Sequence, residues 1–186
     1  MSNIKSVVTC IFVAITLSGC ETYNASLYSI SADTNLAIKS LKINESVSVG
    51  IFTSNGPIDM QCRAAGPIQL PRGTQSITAY VQKAFEDELK IAGAYSSQSP
   101  KAILTGNLTK VSFSSSKNLN SGFWNFDLTV TSNNGKSITV TEYYEFESGF
   151  NATTACNNTA NAIMPAVQNL VGKAIRSPQF AGLLSQ

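Results

Sequence analysis

The side chains that most often perform chemistry are unevenly supplied in this chain. It contains no histidine, which removes the Ser-His-Asp and Cys-His arrangements and the commonest metal ligand. The acids a hydrolase could use are Asp127, Glu142, Glu145 and Glu147. A carboxylate pair could serve a glycosidase, and Glu145 and Glu147 would stand roughly 7 Å apart on one face of a strand. Such pairs are ordinary on exposed strands, and the sequence around them indicates no cleft. Four cysteines fall at Cys10, Cys20, Cys62 and Cys156. A reactive thiolate at Cys62 would need Arg63 or a helix N-terminus to activate it, and two cysteines without histidine make a poor zinc site. The segment from Cys62 to Pro67 matches no catalytic pattern. The expectation is a chain with no catalytic residues, no metal and no cofactor.

The chain has 186 residues, of which 43% are hydrophobic and 13% charged. That length suits one domain, or one domain plus a leader, and can bury a sizeable core. The charged fraction is about half the typical ~25% of soluble domains. With 13 basic and 11 acidic side chains, there is no field to draw nucleic acid, and none is expected as a partner.

The first residues carry the most specific signal. Lys5 gives a short positive start, and Val7 to Leu17 is an apolar run. The run is shorter than the roughly 20 residues a spanning helix needs, and it suits the apolar region of a signal peptide. Leu17-Ser18-Gly19-Cys20 follows. The small residues would let an extended chain enter a peptidase cleft, and Cys20 is the side chain there that could be S-acylated. The stretch resembles a bacterial lipoprotein signal with its lipobox. The resemblance implies diacylglycerol on the Cys20 thiol, cleavage before Cys20 and N-acylation of the new terminus. Two or three acyl chains suffice for stable anchoring. Glu21 is not the Asp that retains enterobacterial lipoproteins in the inner membrane. The resemblance therefore implies the outer membrane, facing the periplasm, with the inner membrane the lesser alternative.

With Cys10 removed in the leader and Cys20 lipidated, Cys62 and Cys156 remain as a pair in an oxidising compartment, and a disulfide is the plain reading. It would close a loop of about 95 residues, for which chain entropy predicts about 4.7 kcal/mol of stabilisation. Loss of Lys5 would leave 12 basic and 11 acidic side chains, a nearly neutral body.

The elements that must position these residues are legible from periodicity. Residues 21–46 are polar and mixed, and read as a tether with a weak helical signal over 35–41. Residues 47–53 alternate with the odd positions apolar through Ile51, which predicts a strand with Ile51 inward. Residues 54–73 hold several Gly and Pro residues and read as a long loop pinned by Cys62. Residues 74–92 carry an apolar stripe of Ile77, Tyr80, Val81, Ala84, Phe85 and Leu89, which predicts a helix capped by Thr74 or Ser76 and ended by Gly93. Glu86, Asp87 and Glu88 are expected to face solvent. Residues 102–113 read as a strand. Trp124, Phe126, Leu128 and Val130 alternate with polar residues, and Asn133-Asn134-Gly135 predicts a hairpin with a type I′ turn. The returning strand places Ile138, Val140, Tyr144 and Phe146 on one face, interrupted by Glu142. Residues 153–176 read as a last helix that either starts near Ile163 or kinks at Pro165. Phe180, Leu183 and Leu184 could dock the tail.

The order strand-helix-strand-strand-strand-helix predicts an α+β fold of two layers: an antiparallel sheet of about four strands with two helices packed on one face. The division expected is a signal peptide over 1–19, a lipidated terminus and tether over 20–46, and one periplasmic domain over 47–186. The disulfide would bring the starts of both helices together. The element order resembles small envelope lipoproteins of Gram-negative bacteria. These include the plug of the lipopolysaccharide translocon and the auxiliary lipoproteins of lipid-transport ABC systems. The amino-terminal domain of the translocation protein that partners peptidoglycan-associated lipoprotein is also similar. The resulting expectation is a non-catalytic envelope lipoprotein, held in the membrane through Cys20, that binds another envelope protein as an accessory or assembly factor. The alternative is a ligand-binding module for lipid, glycan or peptide, with Phe123 and Tyr143 as its ligand-facing aromatics.

Overall fold

The computed structural model describes residues 21–43 and 46–185. The lipobox and Cys20 lie outside the described residues. In chain order the elements are β1 (Tyr23–Asn24), α1 (Ala32–Ser40), β2 (Val47–Ser54), β3 (Gln61–Cys62), β4 (Gly66–Gln69), α2 (Ile77–Ile91), β5 (Ala102–Ser114), β6 (Ser121–Ser132), β7 (Ser137–Glu147), α3 (Ala152–Ile175) and α4 (Phe180–Leu184).

The main sheet has the order β2-β5-β6-β7. The β5–β6 and β6–β7 pairs are antiparallel, as a meander with short turns must be. β2 instead pairs parallel to β5. The two-layer α+β expectation and its four strands hold, but the sheet is mixed rather than wholly antiparallel. The reason is α2, which carries the chain back to the starting end of β2, so that β5 re-enters in the same direction.

Both long helices cover one face. The even residues of β6, Trp124, Phe126, Leu128 and Val130, are buried against it. Trp124 donates its indole N–H to the Thr159 carbonyl of α3 at 2.9 Å. Phe113, Trp124 and Phe126 form a stack with centroid spacings of 4.5 and 5.6 Å. Phe52 of β2 meets Phe85 of α2 at 5.5 Å. Aromatic pairs of this kind contribute about 0.5–1.5 kcal/mol beyond the area they bury. Each helix runs back along the strand before it, so α2 and α3 start at the same end of the sheet.

Two register shifts decide which side chains enter this core. In β5 the pairing slips between Leu108 and Lys110. Leu104 and Leu108 point inward before the slip, and Val111 and Phe113 pack on the core after it. A β-bulge changes the face by one residue, which explains why the apolar pattern of the sequence changes phase there. In β2 the shift lies between Val49 and Phe52. Ile51, expected inward, is 75% exposed, and Phe52 takes the core position.

The β6–β7 turn also differs from the type I′ expectation. Gly135 has φ +84°, but Asn134 is not in the positive-φ region. The Gly135 N–H bonds to Ser132 O and the Ser132 N–H to Lys136 O, both at 2.9 Å. This is a three-residue loop closed by a left-handed glycine.

Residues 21–43, expected to be a tether, are instead part of the body. β1 adds parallel to β4, and β3 pairs antiparallel with β4, so residues of the supposed long loop form a second, three-stranded sheet. Tyr23 is 1% exposed and Ile38 is fully buried. α1, capped by the Ser31 hydroxyl, packs on α2 and α3. The last helix starts at Ala152, with the Asn151 side chain accepting from Thr154 N at 2.8 Å, and passes through Pro165 without a break. α4 buries Phe180 and Leu183, and Asn134 of the hairpin donates to the carbonyls of Gly182 and Ser185.

Candidate functional site

The residues singled out by sequence gather most densely at the end of the molecule where β5 and β7 finish and α3 begins. Three loops meet there, residues 62–66, 114–121 and 147–153. Cys62 and Cys156 clip the first to α3 at disulfide distance, with Cα atoms 5.8 Å apart, inside the range a disulfide requires. Arg63 holds the second and third. Its Nε donates to Ser115 Oγ at 2.9 Å, and its Nη2 to Ser115 O at 2.8 Å and Gly149 O at 3.5 Å. Ser148 N donates to Asn120 O at 2.8 Å, and the Ser148 hydroxyl to Ser115 O. The Arg63 guanidinium is thus occupied in joining loops rather than activating a thiol.

Glu21 is seated at this same end. Its Oε2 accepts from Tyr23 Oη at 3.0 Å and from Thr153 Oγ1 at 3.3 Å. Its carbonyl presses on Gly66, where an added Cβ would lie 1.9 Å from the Glu21 oxygen and where φ is +149°. Glycine is required there by both contact and conformation. An open groove of about 930 Å³ runs between residues 118–121 and 147–149. Leu119 lines it, and Phe150 follows its last lining residue, Gly149. These two side chains are 81% and 84% exposed. Sequence reasoning missed them. Each is a lone apolar residue in a polar loop, and periodicity does not mark such positions.

Phe123 and Tyr143 lie on the sheet face that the helices leave uncovered. Their rings stack on each other at 5.1 Å. Lys117 sits over Tyr143 at 5.2 Å and pairs with Glu145 at 3.0 Å. Neither ring lines the groove described above, and an open sheet face is not the concave surface a small ligand needs.

The candidate acids are dispersed by function. Asp127 accepts from the Thr141 hydroxyl at 2.7 Å on the open face. Glu145 is engaged with Lys117 there, and Glu147 lines the groove. Glu142, which interrupts the apolar face of β7, is 3% exposed and faces α3. Asn169 donates to it at 3.1 Å, and Lys173 stands 2.6 Å away as its ion partner. Among the described residues, no group of three or more Cys, Asp or Glu is placed to hold a metal ion, and no helix is long and apolar enough to cross a membrane.

Glu88 corrects a sequence expectation. It was expected in solvent beside Glu86 and Asp87, yet it is fully buried. Residues 28–35 cover it. The Tyr28 hydroxyl and the Ser31 N–H each donate to Oε1 at 2.7 Å. Burial holds its carboxyl above the usual carboxylate range, an effect these two hydrogen bonds oppose. Burial, with Glu88 beside it, also pushes the Tyr28 hydroxyl far up.

Comparison with known proteins returns the fold. No family model matches this chain, and no curated protein matches it. Among solved structures, protein XCC0632 from Xanthomonas campestris, of the family DUF330, superposes with a TM-score of 0.53 at 11% identity, covering 86% of this chain and 97% of its own. The likeness is one of fold. A Caulobacter crescentus protein provisionally described as a lipoprotein gives a TM-score of 0.44 at 12% identity, covering 82% of this chain and 96% of its own. The XCC0632 superposition extends over most of both chains.

Proposed function

We propose that this chain is a lipid-anchored, non-catalytic envelope lipoprotein that serves as an accessory or assembly factor by binding another envelope protein. The observation that carries this reading is Leu17-Ser18-Gly19-Cys20 joined directly to a folded body. Glu21 favours the outer membrane, with the body facing the periplasm. The polar open face of the main sheet and its edge strand β7 supply surface for a protein partner. The engagement of Arg63, Glu142 and Glu145 in structural contacts is in keeping with the non-catalytic reading.

The test has two parts. Cells fed a labelled fatty acid should label the wild-type chain and not Cys20→Ser; equal labelling of both would end the lipoprotein reading. Crosslinking of intact envelopes should then recover one protein reproducibly. Repeated recovery of nothing specific would remove the partner-binding role.

A further inference from the structure

We propose that the body sits directly on the lipid surface, with Phe150 and Leu119 seated at the boundary between headgroups and acyl chains. This inference rests on the anchoring of Cys20 proposed above and adds an orientation to it. Residue 21 already belongs to the folded body. Glu21 is pinned through Thr153, Tyr23 and Gly66, and Tyr23 is already buried in β1. Consecutive Cα atoms stand about 3.8 Å apart, so Cys20 cannot stand farther than that from the pinned Glu21. Acyl chains on Cys20 fix it at the edge of the hydrocarbon, beneath a headgroup layer about 5 to 7 Å deep. The end of the body bearing Glu21 therefore has no room to float free of that layer.

That same end carries the two most exposed large apolar side chains among the described residues, Phe150 and Leu119. Phe150 lies one turn before Thr153, whose hydroxyl touches Glu21. Leu119 lies across the bond from Ser148 N to Asn120 O. Single exposed apolar residues are unremarkable on a soluble surface. Here two stand on adjoining loops beside a lipid attachment point, and apolar side chains so placed gain by entering the interface. Ile91 at the end of α2, exposed as well, belongs to the opposite end of the sheet.

The test uses the full lipidated chain in vesicles of phosphatidylethanolamine and phosphatidylglycerol. Trp124, the one natural tryptophan, is fully buried and supplies a constant background. Phe150→Trp should then show blue-shifted emission that is quenched when the acyl chains are brominated, whereas Ile91→Trp should keep water-exposed emission and no quenching. Flotation of the protein with vesicles is scored in parallel. Flotation without quenching of Trp at 150 overturns the docking and leaves the anchoring intact. Quenching at both positions overturns the orientation. Failure to float overturns the anchoring and the docking together.

Discussion

Replacing Glu88 tests how residues 21–43 are held to the body. Glu88→Ala removes an acceptor from the Tyr28 hydroxyl and the Ser31 N–H, both at 2.7 Å. Hydrogen bonds to a charged acceptor contribute about 1.5–3 kcal/mol each, and donors left buried carry a further desolvation penalty. The loss is therefore about 3 to 6 kcal/mol, and at its lower end it corresponds to a fall in Tm of roughly 6–12 °C for a chain of this size. Glu88→Gln keeps the acceptor oxygen and removes the buried charge, so it should cost less than about 1.5 kcal/mol at pH 7. The two variants also differ in pH dependence. Burial raises the folded carboxyl above its ordinary value, so the native state binds the proton more tightly than the unfolded chain. The stability Glu88 contributes in its protonated form is complete below the ordinary carboxylate value and declines as pH rises through the folded one. Glu88→Gln should flatten that decline. Thermal unfolding followed by circular dichroism between pH 4 and pH 8 reads both effects. A Glu88→Ala protein melting within about 2 °C of wild type, against the shift expected above, would refute the reasoning. So would a Glu88→Gln protein as unstable as Glu88→Ala.

Three further outcomes are expected. Cys62→Ser with Cys156→Ser should lower the unfolding free energy by about 4–5 kcal/mol in denaturant titration, since the closed loop is long and the unfolded chain regains its freedom. Gly106→Val should destabilise by about 1–3 kcal/mol, because a Cβ at Gly106 would lie 2.4 Å from the Phe52 ring, and thermal melting reads that loss. Glu145→Gln should change stability by less than about 1 kcal/mol in the same assay, because its partner Lys117 is solvent-exposed and surface ion pairs contribute little.

How much of this was legible in the sequence depended on whether a signal was local. The stripe from Ile77 to Leu89 is a property of one helix with its own cap and stop, and α2 formed where it was expected. Trp124 to Val130 alternates strictly, and β6 buries that face without interruption. The errors have a common origin. The apolar side chains of residues 21–43 follow no long period, so their folding depends on β4, α2 and α3, which lie far along the chain. Missing that cover made Glu88 look like one of three solvated acids. Ile51 was misplaced for a related reason. The bulge in β2 is a feature of its pairing with β5, and one strand read alone keeps its period.

By itself the sequence carried a stretch at Leu17 to Cys20 that resembles a lipobox, left Cys62 and Cys156 as the cysteines beyond it, and determined the two-layer α+β class. The class follows from short-range periodicity. Tertiary structure alone decided that β2 runs parallel to β5, that Glu88 is enclosed by Tyr28 and Ser31, and that Glu21, Leu119 and Phe150 share one end of the molecule. These are relations between segments up to 132 positions apart, and only the packed chain brings them within reach of one another.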